Sequence, residues 1–452
     1  MSRPSGRSRR STLFAGALSV VLAAGLALTG CTHQGNATPE PSQASATLPA
    51  AESNAIKTAV TNAMKLVGTP GAIVGVWAPW AGSYQAGIGT TTMKGSTPVT
   101  ADMPWRVGSV TKSMSCTVLL SLVQKGTVKL SDPVSKYLPR VVGIDDLTLG
   151  QLCQNTSGLG DYMDSLGPQF VDNPLRPYVP MELLSDGMGE PRTGSPGQQW
   201  SYSNAGFILL GMALQAATGQ DWQSLYNSEV FGPLGMKSSS LPSGTGIPGS
   251  KLHGYATSLD AITGDPKCGT VLDDTQLAPS GAWTSSGVVS NLTDLKTFAQ
   301  SFATASLFSG DVKKAAWKTV PLGANVAAWQ TYGLGGVELG PMRGHDGSVP
   351  GFITSMLSDP TSGLTVIVML NDSTSGAAYA QALAMQLSAI AASFHATSGH
   401  KAPTITLPWT ADAAAASLDQ LAVCRAADAP PAPTPTPAPT PAPAVYHPLP
   451  AN

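Results

Sequence analysis

Ser109 and Lys112 stand three residues apart between Met103 and Cys116, where a short apolar strand runs into a long apolar helix. Residues at that spacing share a helix face. A serine at the helix start meets free backbone N–H groups and the positive end of the dipole. A desolvated lysine beside it loses its proton and can take that of the hydroxyl. The pair has the geometry of an acyl-serine enzyme with a lysine base. A second Ser-x-x-Lys, Ser398 to Lys401, lies in a polar loop with no such context and reads as two surface residues.

Two further groupings could serve the same chemistry. Tyr202-Ser203-Asn204 precedes an apolar helix at 206–218. A phenol near an ammonium is expected to turn acidic, so Tyr202 could relay protons. The Asn204 amide could orient a substrate carbonyl or N–H. Alone, this motif would read as a helix cap beside a core tyrosine. His345-Asp346-Gly347-Ser348 precedes a strand at 352–357. Gly347 would let a substrate come close to the backbone. The N–H groups of Ser348 and Ser109 could form an oxyanion hole. Alone, His-Asp-Gly would read as a β-turn.

The rival chemistries have no motif. The chain has no Gly-x-Ser-x-Gly elbow, so an α/β-hydrolase reading is poor, and no Cys-x-x-Cys or His-Glu-x-x-His, so a zinc site has no support. His253, His395, His400 and His447 are isolated. Trp80, Trp200 and Trp283 could line a cleft, although a tryptophan is more often core.

These residues need elements to hold them. The patterning gives a helix at 55–67, strands at 72–77, 84–89 and 105–107, and the Ser109 helix to about residue 125. Short helices follow at 147–153, 180–187, 206–218 and 223–230, alternating with Pro- and Gly-rich loops. A helix at 293–303, strands at 330–334, 352–357 and 364–371, and a long helix at 376–394 complete the pattern. Strands at both ends with helices between them predict an antiparallel sheet covered by helices plus an inserted helical lobe. The active site is expected between the two.

Composition narrows the class. With 452 residues, 42% hydrophobic, the chain can bury a sizeable core. Four of its 25 basic residues lie in the first ten positions. The remainder carries 21 basic against 27 acidic side chains with no basic run, which excludes nucleic acid as a partner.

Arg3–Arg10 and the apolar stretch 13–28 read as a signal peptide over 1–30. Sec export is expected over twin-arginine export. Leu28-Thr-Gly-Cys31 looks like a lipobox, so Cys31 is expected to carry a lipid that anchors the protein to the membrane, facing outside the cytoplasm. Residues 31–52 read as a flexible tether, 53–397 as the catalytic domain, 398–427 as an extension and 428–452 as a Pro/Ala/Thr-rich tail. Export permits disulfides. The four remaining cysteines allow three pairings, of which Cys116–Cys153 with Cys268–Cys424 is favoured.

The three motifs in this order resemble the serine penicillin-recognising enzymes, in their class C β-lactamase and D-Ala-D-Ala carboxypeptidase branch, which also holds esterases and D-amino-acid peptidases. The likeness spans about residues 55–395 and extends to Pro70-Gly-Ala72, Asn155-Thr-Ser-Gly-Leu159 and Tyr332-Gly-Leu-Gly335. It implies a β-lactamase/transpeptidase-like fold, α+β, with a five-stranded antiparallel sheet. It implies Ser109, Lys112 and Tyr202 as catalytic residues, Asn204, His345, Gly347 and Ser348 as substrate-binding residues, and no need of a metal or cofactor. The substrate would be peptidoglycan-like, a β-lactam or an ester. Two departures count against a terminal carboxylate in the substrate. Asp346 stands where Thr or Ser is usual, and no basic residue closely follows Tyr332-Gly-Leu-Gly335. Arg343 could compensate. The rival from another class is a non-catalytic lipoprotein that binds peptidoglycan.

Overall fold

The computed structural model describes residues 44 and 46–425. The expected signal peptide, the lipidated Cys31 and the tail 428–452 lie outside the described residues. Within them, no helix is long and apolar enough to cross a membrane.

Helix α1 (Ala50–Val67) buries Ile56, Ala59, Val60, Ala63 and Met64 at helical spacing and stops at Gly68, φ 70°. β1 (Gly71–Ala78) and β2 (Gly82–Gly89) form a hairpin, and β3 (Trp105–Arg106) leads into α2 (Val110–Gln124). The helical lobe holds α3 (Leu149–Cys153), α4 (Met163–Asp172), α5 (Pro180–Gly189), α6 (Asn204–Thr218), α7 (Trp222–Tyr226) and α8 (Gly232–Leu234). A second hairpin, β4 (Tyr255–Leu259) with β5 (Pro266–Asp273), precedes α9 (Pro279–Ser286), β6 (Val289–Ser290), α10 (Leu292–Thr304) and α11 (Gly310–Ala316). The chain then runs through β7 (Val320–Pro321), β8 (Gln330–Tyr332), β9 (Val337–Leu339), β10 (Met342–Val349), β11 (Phe352–Ser358) and β12 (Thr365–Leu370), and ends in α12 (Gly376–Ala392) and α13 (Ala411–Leu421).

The main sheet has the order β2-β1-β12-β11-β10-β9-β8-β7, and every pair is antiparallel. The two ends of the chain share it, because β1 pairs with β12. Alternation along β1 sends Ala72, Val74, Val76 and Ala78 into one core with α1 and α12, and Ile73 and Trp77 into the other with α2 and the lobe. Helix α2 lies in that second core and is buried from Val110 to Leu120. The Cys116–Cys153 disulfide ties it to α3, and Cys268–Cys424 is the second bond.

Several expectations need correction. The sheet of the described residues has eight strands, not five. The five long ones are β2, β1, β12, β11 and β10, while β7, β8 and β9 have only two or three residues, too few to show an alternation. His345-Asp346-Gly347, which would read as a turn only if it stood alone, lies in strand β10. Gly344 and Gly347 mask the pattern, and the neighbouring ladder supplies the pairing. The tether does not extend to residue 52. The N–H of Ala44 bonds Pro79 O at 2.8 Å, that of Leu48 bonds Ser83 O at 3.0 Å, and α1 begins at Ala50. The expected helix at 223–230 ends as an α-helix at Tyr226 and continues as a π-turn over Asn227–Phe231. Apart from these corrections, Ala414 and Leu418 of α13, in the extension after residue 397, are buried against the core around α12.

Candidate active site

Ser109 caps the N-terminus of α2 and is almost buried. Gly108 before it has φ 57°, which turns the chain from β3 into the helix. Strand β10 presses against this corner. A Cβ on Gly347 would lie 2.3 Å from Val107 O and 2.7 Å from Ser109 N, and one on Gly108 would lie 2.7 Å from Ser348 N. Two glycines thus let the backbone of β10 at Gly347–Ser348 approach the backbone at Val107–Ser109 closely.

Lys112 lies one turn along α2 and is fully buried. Its Nζ is 3.1 Å from Ser109 Oγ, 2.7 Å from Asn204 Oδ1 and 3.0 Å from Ser285 O. Burial lowers its pKa to about 7, against the pull of Asp161 and Asp346 in the other direction. A neutral amine has two N–H groups and one lone pair. The Asn204 and Ser285 oxygens only accept, so they take both N–H groups and leave the lone pair for the Ser109 hydroxyl. Asp161 fixes the Asn204 amide by accepting from its Nδ2 at 2.7 Å and from its backbone N–H at 3.1 Å.

Tyr202 sits with its ring 4.7 Å from Lys112 Nζ. This setting runs against the expected acidification of the phenol. Burial, first of all, raises its pKa well above the usual value, and Tyr332, Asp346 and Asp161 act in the same direction while contact with Ser109 opposes them. A phenol whose pKa is raised in this way is better suited to giving a proton than to taking one.

His345 is buried. Its Nδ1 meets the Asp346 carbonyl oxygen, and its Nε2 is 3.0 Å from Tyr332 Oη. A carbonyl only accepts, so Nδ1 carries the hydrogen and Nε2 accepts from the phenol. Burial lowers the pKa of His345, and the ring is neutral.

A cleft of about 600 Å³ opens over Ser109, lined by Tyr202, Asn204, His345, Asp346 and Ser348 among others. All the residues expected from sequence in the described region meet here except Gly347, which lies just beneath the wall, and Lys112, which lies under Ser109. Sequence reading missed Asp161, Tyr332 and the Ser285 carbonyl. Asp161 falls two residues past Asn155-Thr-Ser-Gly-Leu159, but Ser285 lies in a Thr-Ser-Ser-Gly run with no distinguishing signal. Trp200 lines the cleft, whereas Trp80 is buried elsewhere and donates to Phe394 O at 3.0 Å. Arg343 is not available to a substrate. Its Nε bonds Glu338 at 2.7 Å, its Nη1 bonds Ala303 O at 3.0 Å, and its plane lies over Trp317. Ser398 and Lys401 are exposed and remote from this constellation.

Residues 56–389 match the family model described as Beta-lactamase. The chain belongs to this family of serine hydrolases. It is similar to a penicillin-binding protein of Bacillus subtilis (strain 168), 25% identical over 298 residues, which are 64% of this chain and 65% of that one. It is similar to a D-aminopeptidase of Cereibacter sphaeroides (strain KD131 / KCTC 12085), 28% identical over 309 residues, which are 65% of this chain and 53% of that one. The chain therefore spans about half to two thirds of these relatives' length. Among solved structures, a D-stereospecific amidohydrolase from Streptomyces sp. is 26% identical with a TM-score of 0.61, over 72% of this chain and 94% of that one. This beta-lactamase-family match ends at residue 389, before α13 and Cys424.

Proposed function

We propose that this protein is an acyl-serine hydrolase of amide bonds whose substrate carries a free ammonium group, in the manner of an aminopeptidase or amidase for D-residues. One observation supports this over a carboxypeptidase. Among the described residues, Asp346 is the single charged side chain lining the cleft, and no Lys or Arg lines it. A substrate carboxylate would meet a like charge in a partly desolvated site, and an ammonium would meet an opposite one. Asp346 Oδ1 accepts from Gln381 Nε2 at 3.2 Å, which holds it at the cleft wall. Strand β9 pairs only with Met342–Gly344 of β10, so Asp346–Val349 keep an open edge along which an extended substrate can lie. The α4 side, with Met163, Gly167, Phe170 and Val171, suits an apolar side group.

In this reading Lys112 takes the Ser109 proton as Oγ attacks the carbonyl. The N–H groups of Ser109 and Ser348 hold the oxyanion. Tyr202 gives its proton to the leaving nitrogen and regains one from Lys112. Water then releases the acyl group along the reverse path. The test compares D-phenylalanine p-nitroanilide with its N-acetyl derivative and with N-acetyl-D-Ala-D-Ala. The free-amino amide is expected to lead by at least about tenfold in kcat/KM, and Asp346→Asn to erase most of that lead. Equal turnover of the carboxylate-ended dipeptide would return the reading to the carboxypeptidase type.

The same proposal puts the enzyme outside the cytoplasm on a lipid at Cys31, supported by the leader pattern and by two disulfides. Cells fed an alkyne-tagged fatty acid should label the protein, and Cys31→Ser should abolish the label. Undiminished labelling of that variant would refute the anchor.

A further inference from the structure

Hairpin β4–β5 stands outside the main sheet yet forms a wall of the cleft through Ala256, Thr257 and Leu259. Its base is secured. Tyr255 N–H bonds Asn371 O at 3.0 Å, Ser373 N–H bonds Tyr255 O at 2.8 Å, and Thr374 Oγ1 meets Thr257 Oγ1 at 3.2 Å. Its outer part is not. The ladder pairs Thr257 with Val271 and then Leu259 with Pro266, so Ser258 alone faces residues 267–270. A strand that slips in this way loses pairing and bends. β5 is exposed along most of its length. Cys268 lies inside the slipped stretch.

Cys268 is bonded to Cys424 across 156 residues of sequence. The far end of that bond is fixed to α12. Val423 N–H bonds Ser375 Oγ at 3.1 Å, just before α12 begins, and Trp409 Nε1 donates to Met385 O at 2.8 Å. Ser373, Thr374, Ala377 and Gln381, at the start of that helix, line the same cleft. The bond therefore joins two walls of one cleft, and its Cys424 end belongs to the extension beyond the family match.

We propose that the Cys268–Cys424 disulfide is a brace that positions the β4–β5 wall against α12 and so fixes the width of the cleft for large substrates. The brace acts on binding, not on the acyl-transfer groups, which hang on α2, α6, α9 and β10. It requires only acyl-serine chemistry, not the preference for an ammonium, so p-nitrophenyl esters test it independently of that preference.

The experiment uses the full chain, Cys268→Ser/Cys424→Ser, with p-nitrophenyl acetate and p-nitrophenyl phenylacetate. KM for the phenylacetate is expected to rise about three- to tenfold with kcat within about twofold, while the acetate is unaffected. A dithiol added to folded wild-type protein should give the same shift. Two thiol–disulfide exchanges move two electrons and two protons to the protein and leave the reagent as its cyclic disulfide. Cys116–Cys153 is fully buried and should survive that treatment, whereas Cys268 is exposed. The double variant should not respond to the dithiol. An unchanged KM for the phenylacetate, with intact mass showing the bond open, would overturn the brace. So would an equal loss of kcat on both esters, which is the mark of a general loss of fold.

Discussion

Ser109 and Lys112 differ in kind from the other Ser-x-x-Lys of the chain only in what surrounds them. Burial of Lys112, with two acceptors taking its N–H groups, makes it a base near neutral pH. The sign follows directly. The base must be unprotonated, so kcat/KM should fall as pH drops through about 7 and reach a plateau above it. Tyr202→Phe should cost about a hundredfold or more in kcat and leave that limb where it is, because the phenol is held neutral. A pH–rate profile of wild type and Y202F checks both, and a limb that vanishes with the tyrosine would reassign the base. Lys112→Ala should lose nearly all turnover while retaining the native far-ultraviolet circular dichroism. Near-normal activity in that variant would also remove the lysine from the mechanism.

At the scale of elements, the site depends on the approach of β10 to the start of α2. Gly347 and Gly108 set that approach, since any Cβ there would enter the backbone of the other segment. Gly347→Ala should push the strand away from Ser109 and reduce kcat by about a hundredfold or more through the oxyanion contact. Its effect on KM should be smaller. Steady-state kinetics and a thermal melt would separate this from unfolding, and unchanged kcat would mean that the Ser348 N–H is not an oxyanion donor. Gly335 has a comparable role behind the site. With φ 83°, it lies where a Cβ would come within 2.6 Å of Cys116 Cβ, so Tyr332-Gly-Leu-Gly335 packs against the α2–α3 disulfide while its tyrosine reaches the cleft.

At the scale of the whole molecule, the ends of the described chain close the fold. α13 covers α12 with Ala414 and Leu418, and Trp409 bonds Met385 O. Removing residues 398–425 exposes that apolar surface and opens Cys268–Cys424. The melting temperature is expected to fall by about 5 °C or more, as differential scanning calorimetry would show. A melt identical to wild type would mean that the extension is an ornament on an independent domain.

The chemistry was legible in the linear chain because it is local. Ser-x-x-Lys at a strand-to-helix junction, a Tyr-Ser-Asn before an apolar helix and a glycine after His-Asp each carry their geometry within a few residues. Longer segments were legible for the same reason: α1 repeats a buried face over several turns, and α2, β1, β12 and α12 are apolar runs whose length and flanking turns mark the element. Short strands β7 and β9 and the Gly-rich β10 were not, because their pairing comes from neighbours and not from their own pattern, whereas β8 falls within the strand expected at 330–334. Tertiary structure alone decided the rest. It brought Asp161 and the Ser285 carbonyl to the Asn204–Lys112 pair, raised the pKa of Tyr202 by burial, and engaged Arg343 by pairing it with Glu338. Desolvation and long-range hydrogen bonding depend on which surfaces meet, and one-dimensional spacing carries no record of that.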